Sequence, residues 1–121
     1  MALQSFVQWM SQIWDSSINA VKTFLAPYLT IASGELAGSA TAVQMPNVAC
    51  RLVNFKAVLS NAGNVYIGGS GVTKVDGTTD TTSGWQLGPG DETGLIPCAN
   101  VNLFFRISDN AGDDLTYIAF S

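Results

Sequence analysis

Histidine is absent from this 121-residue chain, and with it goes the side chain most used for proton transfer near neutral pH. The commonest metal ligand is missing for the same reason. Charge is scarce as well: 12% of residues are Asp, Glu, Lys or Arg, against roughly 25% in an ordinary soluble domain. A surface so short of charge is expected to be covered in the working state, by copies of the chain or by a partner. The five basic residues, Lys22, Arg51, Lys56, Lys74 and Arg106, are scattered and the net charge is −4. Nucleic acid is therefore excluded as a partner, because neutralising phosphates takes clustered Lys and Arg. Cysteine occurs only at Cys50 and Cys98, far apart and without CxxC spacing. A disulfide between them stays open, since strand cysteines also serve as small apolar residues. The start of the chain has no basic stretch or small-residue cleavage site of a signal peptide, and no uninterrupted apolar run reaches membrane-spanning length. The expectation is a protein made in a cytoplasm, or built into a particle assembled there.

What the chain does have is apolar residues, 47% of the total, and a length suited to one domain with a modest core. Residues 2–26 carry a helical period. At 100° per residue, Leu3, Phe6, Val7, Trp9, Met10, Ile13, Trp14, Ile18, Ala20, Val21, Phe24 and Leu25 fall on about half the circumference. Gln, Ser, Asn, Asp, Lys and Thr hold the other half, and Pro27 ends the pattern. This predicts an amphipathic helix or arm over residues 1–27, with Phe6, Met10, Ile13, Trp14, Val21 and Phe24 as its assembly interface. Three covers compete for that face: the chain's own β-domain, a neighbouring subunit, and a membrane surface. The last is disfavoured because Lys22 is the only cation there.

Residues 28–41 lose the period and turn to Ala, Ser, Gly and Thr, which predicts an extended linker. Residues 42–121 read as a β-domain with a period near two. Val48 to Ser60 is a long strand in which Val53, Phe55, Ala57 and Leu59 share a face. Turns follow at Asn61-Ala62-Gly63-Asn64, Pro89-Gly90-Asp91 and Asn110-Ala111-Gly112-Asp113. Further strands are expected at 65–67, 85–87, 93–96, 101–107 and 115–120, and 68–84 forms a Gly/Thr/Ser/Asp loop anchored by Val72 and Val75. The fold class is thus mainly β: a small antiparallel sandwich or barrel behind one long N-terminal α-helix.

No catalytic constellation emerges. Asp109, Asn110, Asp113 and Asp114 supply oxygen ligands in one loop, but they lack the spacing of a calcium-binding loop and are ordinary turn formers. Asp91 and Glu92 follow a Pro-Gly turn, no serine or threonine has an activating base, and Gly68-Gly69-Ser70-Gly71 lacks the Lys-Ser/Thr of a phosphate loop. Trp85, Tyr66 and Tyr117 offer a carbohydrate platform, with core packing or a subunit interface the favoured reading. No enzyme activity, metal or cofactor is expected.

The stretch from Ala49 to Phe120 resembles a small β-domain of tailed-bacteriophage virion proteins. The features run in order: Asn61-Ala62-Gly63-Asn64, Val65-Tyr66-Ile67-Gly68, Trp85-Gln86-Leu87-Gly88-Pro89-Gly90-Asp91-Glu92, then Val101-Asn102-Leu103-Phe104-Phe105 and a closing hairpin. They cover roughly 60% of the chain. The resemblance implies a head-decoration (cement) protein, commonly a homotrimer seated on the major capsid protein of the virion. On that reading the work is done by buried contact area repeated over a lattice. Two alternatives remain: a receptor- or glycan-binding module of a phage fibre or spike using loop 68–84 and Trp85, and a membrane-interface protein anchored by residues 1–27.

Overall fold

The computed structural model describes residues 30–75 and 82–121. Among these, the chain forms β1 (Ile31–Leu36), β2 (Val43–Gln44), β3 (Leu52–Ala57), β4 (Val65–Gly68), β5 (Trp85–Leu87), β6 (Ile96–Pro97), a 3-10 turn at Val101–Leu103, β7 (Phe105–Ser108) and β8 (Leu115–Phe120). One sheet has the order β1-β8-β3-β6 and the other β2-β7-β4-β5, all antiparallel. The partners are nested: first with last, second with seventh, third with sixth, fourth with fifth. That nesting, wrapped into two four-stranded sheets, is the jelly-roll arrangement.

The core lies between the sheets and follows from the pleat. Val53, Phe55 and Ala57 on β3, Leu115 and Ala119 on β8, Val65 and Ile67 on β4 and Leu87 on β5 are buried, joined by Met45, Cys50 and Val101. Phe55 meets Phe104 edge to face, with ring centroids 5.2 Å apart. A smaller cluster sits on the outer face of the second sheet, where Val72 and Val75 fold back over Tyr66, Phe105 and Ile107. These two valines were the only apolar anchors expected of that loop.

The fold class read from the sequence needs correction. Among the described residues there is no α-helix, and two antiparallel sheets account for the regular structure. The expected N-terminal helix falls on residues 1–27, which lie outside the described residues. Residues 28–41, expected to be a linker, contain β1. Its sequence Ile-Ala-Ser-Gly-Glu-Leu has little strand preference of its own, and six cross-strand pairs with β8 hold it extended. The sandwich therefore takes in Thr30, whose N–H and C=O both bond to Ser121 at 3.1 and 3.0 Å, and does not begin at 42.

Other strands differ in extent. The long strand expected over Val48–Ser60 is regular only for Leu52–Ala57, and Leu59 is 78% exposed rather than in the core. Residues 93–96 are strand only at their end, where Ile96–Pro97 makes β6. The strand expected over 101–107 starts with a 3-10 turn, because the Asn100 side chain accepts from the Asn102 N–H at 2.9 Å and from the Val48 N–H at 3.1 Å. The predicted Pro-Gly turn is a type II turn: Asp91 N–H bonds Gly88 C=O at 2.9 Å, with Pro89 second and Gly90 third at φ 82°.

Candidate interaction surfaces

The predicted interface residues Phe6, Met10, Ile13, Trp14, Val21 and Phe24 lie outside the described residues. The candidate surfaces below are built from the sandwich itself.

The acidic turn is a structural knot. Asp113 is buried, and its carboxylate meets four N–H groups. Oδ1 accepts from the Ala62 and Gly63 backbone, both at 2.9 Å, while Oδ2 accepts from the Asn110 backbone and side-chain amide, both at 2.9 Å. Burial works against the charge, but the bonds from Gly63, Asn110 and Ala62 outweigh it and hold the Asp113 carboxyl below its usual range. Oxygens so occupied have little left to offer a cation. Asp109 Oδ2 accepts from the Asn64 N–H at 2.9 Å, and Asp114 Oδ1 from the Gly38 N–H at 2.8 Å. The two Asn-Ala-Gly turns, at 61–63 and 110–112, are thus tied together at one end of the molecule.

The three aromatics of the possible carbohydrate platform are not brought together. Tyr66 is buried in the smaller cluster on the outer face of its sheet, where burial first of all raises its phenol pKa. Tyr117 packs against the main core, with Gly34 opposite it in β1. Trp85 alone stands free, 70% exposed.

Trp85 pairs with Ile67 across the β4–β5 ladder, so both are on the core-facing side of their sheet. They meet the rim of the other sheet there, because the nested topology leaves β5 and β6 as edges of different sheets. The gap between them is a cleft of about 450 Å³ lined by Ile67, Trp85, Thr93, Ile96, Leu103 and Phe104, with the Gly68–Gly69 backbone. Leu103 on its rim is 60% exposed, because the 3-10 turn directs Val101 into the core and leaves Leu103 outside. Reading 101–107 as an unbroken strand hides this: alternation would give Leu103 to the core. The side-chain acceptor of Asn100, just before Val101, is the signal that could have located the turn.

The outer face of the first sheet is graded. By register, Ile31, Phe120, Leu52 and Pro97 form one row across all four strands. Ser33, Ile118 and Asn54 form the next, and Glu35, Thr116 and Lys56 the third, with the Glu92 backbone paired antiparallel to that of Lys56. Ile31 is 64% exposed. The apolar end of this face is where residue 30 joins the sandwich.

No helix among the described residues is long and apolar enough to cross a membrane. No protein-family model matches the chain, and no curated protein sequence matches it. Among solved structures, it is similar to a chain described under "Bacillus endospore appendages form a novel family of disulfide-linked pili", at 14% identity and a TM-score of 0.38, covering 75% of this chain and 85% of that one. A likeness at that level decides neither family nor role.

Proposed function

We propose that this chain is a non-enzymatic structural protein that works by packing into a larger assembly, and that the assembly is a phage virion, where it acts as a capsid decoration protein. The observation that supports this is the apolar mouth of the sandwich: Trp85 and Leu103 stand exposed on the rim of one cleft in a chain with only 12% charged residues. Isolated exposed leucines are commonplace, but two large apolar side chains converging on one cleft make a contact surface. The partner follows from the sequence resemblance: a homotrimer on the major capsid protein, assembled in the host cytoplasm. Jelly rolls serve in capsids and in lectins alike, so the fold adds no preference between these roles.

Sedimentation and native mass of the purified chain, followed by capsid binding, test the proposal. The expected result is an oligomer that remains on particles through washing, with Leu103→Asp lowering retention while the β-sheet circular dichroism is unchanged. A monomer that fails to bind particles would remove the reading.

One observation favours a second role. An exposed indole beside polar backbone at Gly68–Gly69 and the Thr93 side chain is also how a sugar ring is held by stacking. A glycan array in which binding is lost with Trp85→Ala and kept with Leu103→Asp would move the assignment to a receptor-binding module.

A further inference from the structure

The ladder between β3 and β6 changes its rhythm just past both strands. An antiparallel pair alternates hydrogen-bonded and non-bonded residue pairs. Here the Cys50 N–H bonds Ala99 C=O at 3.1 Å and the Cys98 N–H bonds Arg51 C=O at 3.1 Å, so two successive pairs each carry a bond. The Arg51 N–H turns the other way, to Phe120 C=O at 2.7 Å. Regular pleating would send Cys50 and Cys98, offset by one residue, to opposite faces. The irregular end brings them together instead: the sulfurs lie 3.2 Å apart, and Cys50 Sγ also reaches Cys98 C=O at 3.5 Å.

We propose that Cys50 and Cys98 are a disulfide-forming pair, closed by exchange with a small-molecule disulfide, and that the bond staples β6 to the sandwich. The two sulfurs need to approach by only about 1 Å to reach bonding distance. Cys50 is buried in the main core and Cys98 packs against it, a placement that selects an intrachain bond over a link between chains. The edge strand has reason to be stapled. β6 has two ladder pairs, and one of its two residues, Pro97, has no N–H to give. It also supplies Ile96, one wall of the cleft.

The exchange balances without another reagent. One cysteine thiolate attacks a sulfur of oxidised glutathione, forming a mixed disulfide and releasing one glutathione thiolate, which takes up a proton. The second cysteine, losing its proton, attacks the protein-side sulfur. The bond to glutathione breaks and a second reduced glutathione leaves. Two electrons pass from the cysteine pair to the small disulfide. Burial, with Cys50 beside it, pushes the Cys98 thiol up to about 12, so closure is slow at neutral pH and quickens as pH rises.

The full chain is incubated with oxidised glutathione at pH 8, unfolded in the presence of an alkylating agent and weighed intact. The expected product is monomeric, lighter than the reduced chain by two hydrogens and free of alkylation. Its melting temperature should exceed that of the reduced chain by roughly 10 °C, with the gain reversed by dithiothreitol. Cys50→Ser and Cys98→Ser should each leave one sulfur that alkylates or carries one glutathione, with no rise in melting temperature. Two alkylated sulfurs, two glutathione adducts or a covalent dimer in the unsubstituted protein would each overturn the proposal. The oxidised-against-reduced comparison needs no variant and holds even if the substitutions impair folding.

Discussion

Asn61 and Asp114 are bonded to each other twice: the Asn61 side-chain amide donates to the Asp114 carbonyl at 2.8 Å, and the Asp114 N–H donates to Asn61 Oδ1 at 2.9 Å. A side chain here acts as a strand neighbour would, carrying the ladder across the gap between the two Asn-Ala-Gly turns. Asn61 is itself buried, so removing its amide strips the Asp114 N–H of its acceptor, while the Asp114 carbonyl keeps the Val58 N–H at 3.1 Å. Asn61→Ala is expected to cost about 1–2 kcal/mol, the penalty of one unpaired N–H. Urea denaturation should show a lower midpoint with an unchanged slope.

Asp113 makes the knot sensitive to acid. Its folded pKa lies below the unfolded value of about 3.9. The folded state therefore binds the proton less readily than the unfolded chain. Stability from this group is fully present above about pH 4 and is lost as pH falls through the folded pKa. Asp113→Asn keeps the shape but points an NH₂ at N–H donors, which should cost about 2–4 kcal/mol. Melting curves between pH 2 and 7 should show a flatter acid limb in the variant.

Cys98 sets the opposite limit. In the reduced protein its folded pKa is raised to about 12, so above the usual thiol range the unfolded chain ionises while the folded one stays protonated. Stability should fall as pH rises from about 9 towards 12. The disulfide form has no thiol to titrate and should not share this fall. Melting both forms across that range separates the two.

Gly38 and Gly112 form a matched test of close packing. A Cβ on Gly38 would fall against the backbone carbonyls of Asp113, Ala111 (2.8 Å) and Asn110 (2.9 Å), whereas one on Gly112 would meet nothing within 4 Å. Gly38→Ala should lower the melting temperature by several degrees, reflecting roughly 1–3 kcal/mol of overpacking. Gly112→Ala should change it by little. Equal effects would mean that the loop around Gly38 yields to the added methyl.

The sequence made some of this legible and hid the rest for physical reasons. Val53, Phe55 and Ala57 alternate because one face of β3 is buried and the other is not, and periodicity reads that directly. The Pro89-Gly90 turn was readable because φ above zero calls for glycine. β1 was not, since Ala32, Ser33 and Gly34 are extended only because β8 lies beside them. The cleft was half visible. Trp85 stood out by its chemistry, but Leu103 looked like a core residue until Asn100 interrupted the strand. The Cys50–Cys98 contact depends on a ladder irregularity that no spacing rule anticipates.

The nested pairing also governs the order in which the molecule can be made. β8 is the central partner in its sheet, bonded to β1 on one side and β3 on the other, yet it follows all seven other described strands in chain order. A chain emerging from the ribosome would hold β1 and β3 without their shared neighbour until β4 to β7 had been synthesised. With partners this far apart, closure pays a large entropic toll before any contact repays it, so folding should take milliseconds to seconds rather than microseconds. During that wait two unpaired strand edges face the solvent, and the polar and glycine-bearing stretch Ser33-Gly34-Glu35 in β1 helps keep one of them from pairing with a stranger.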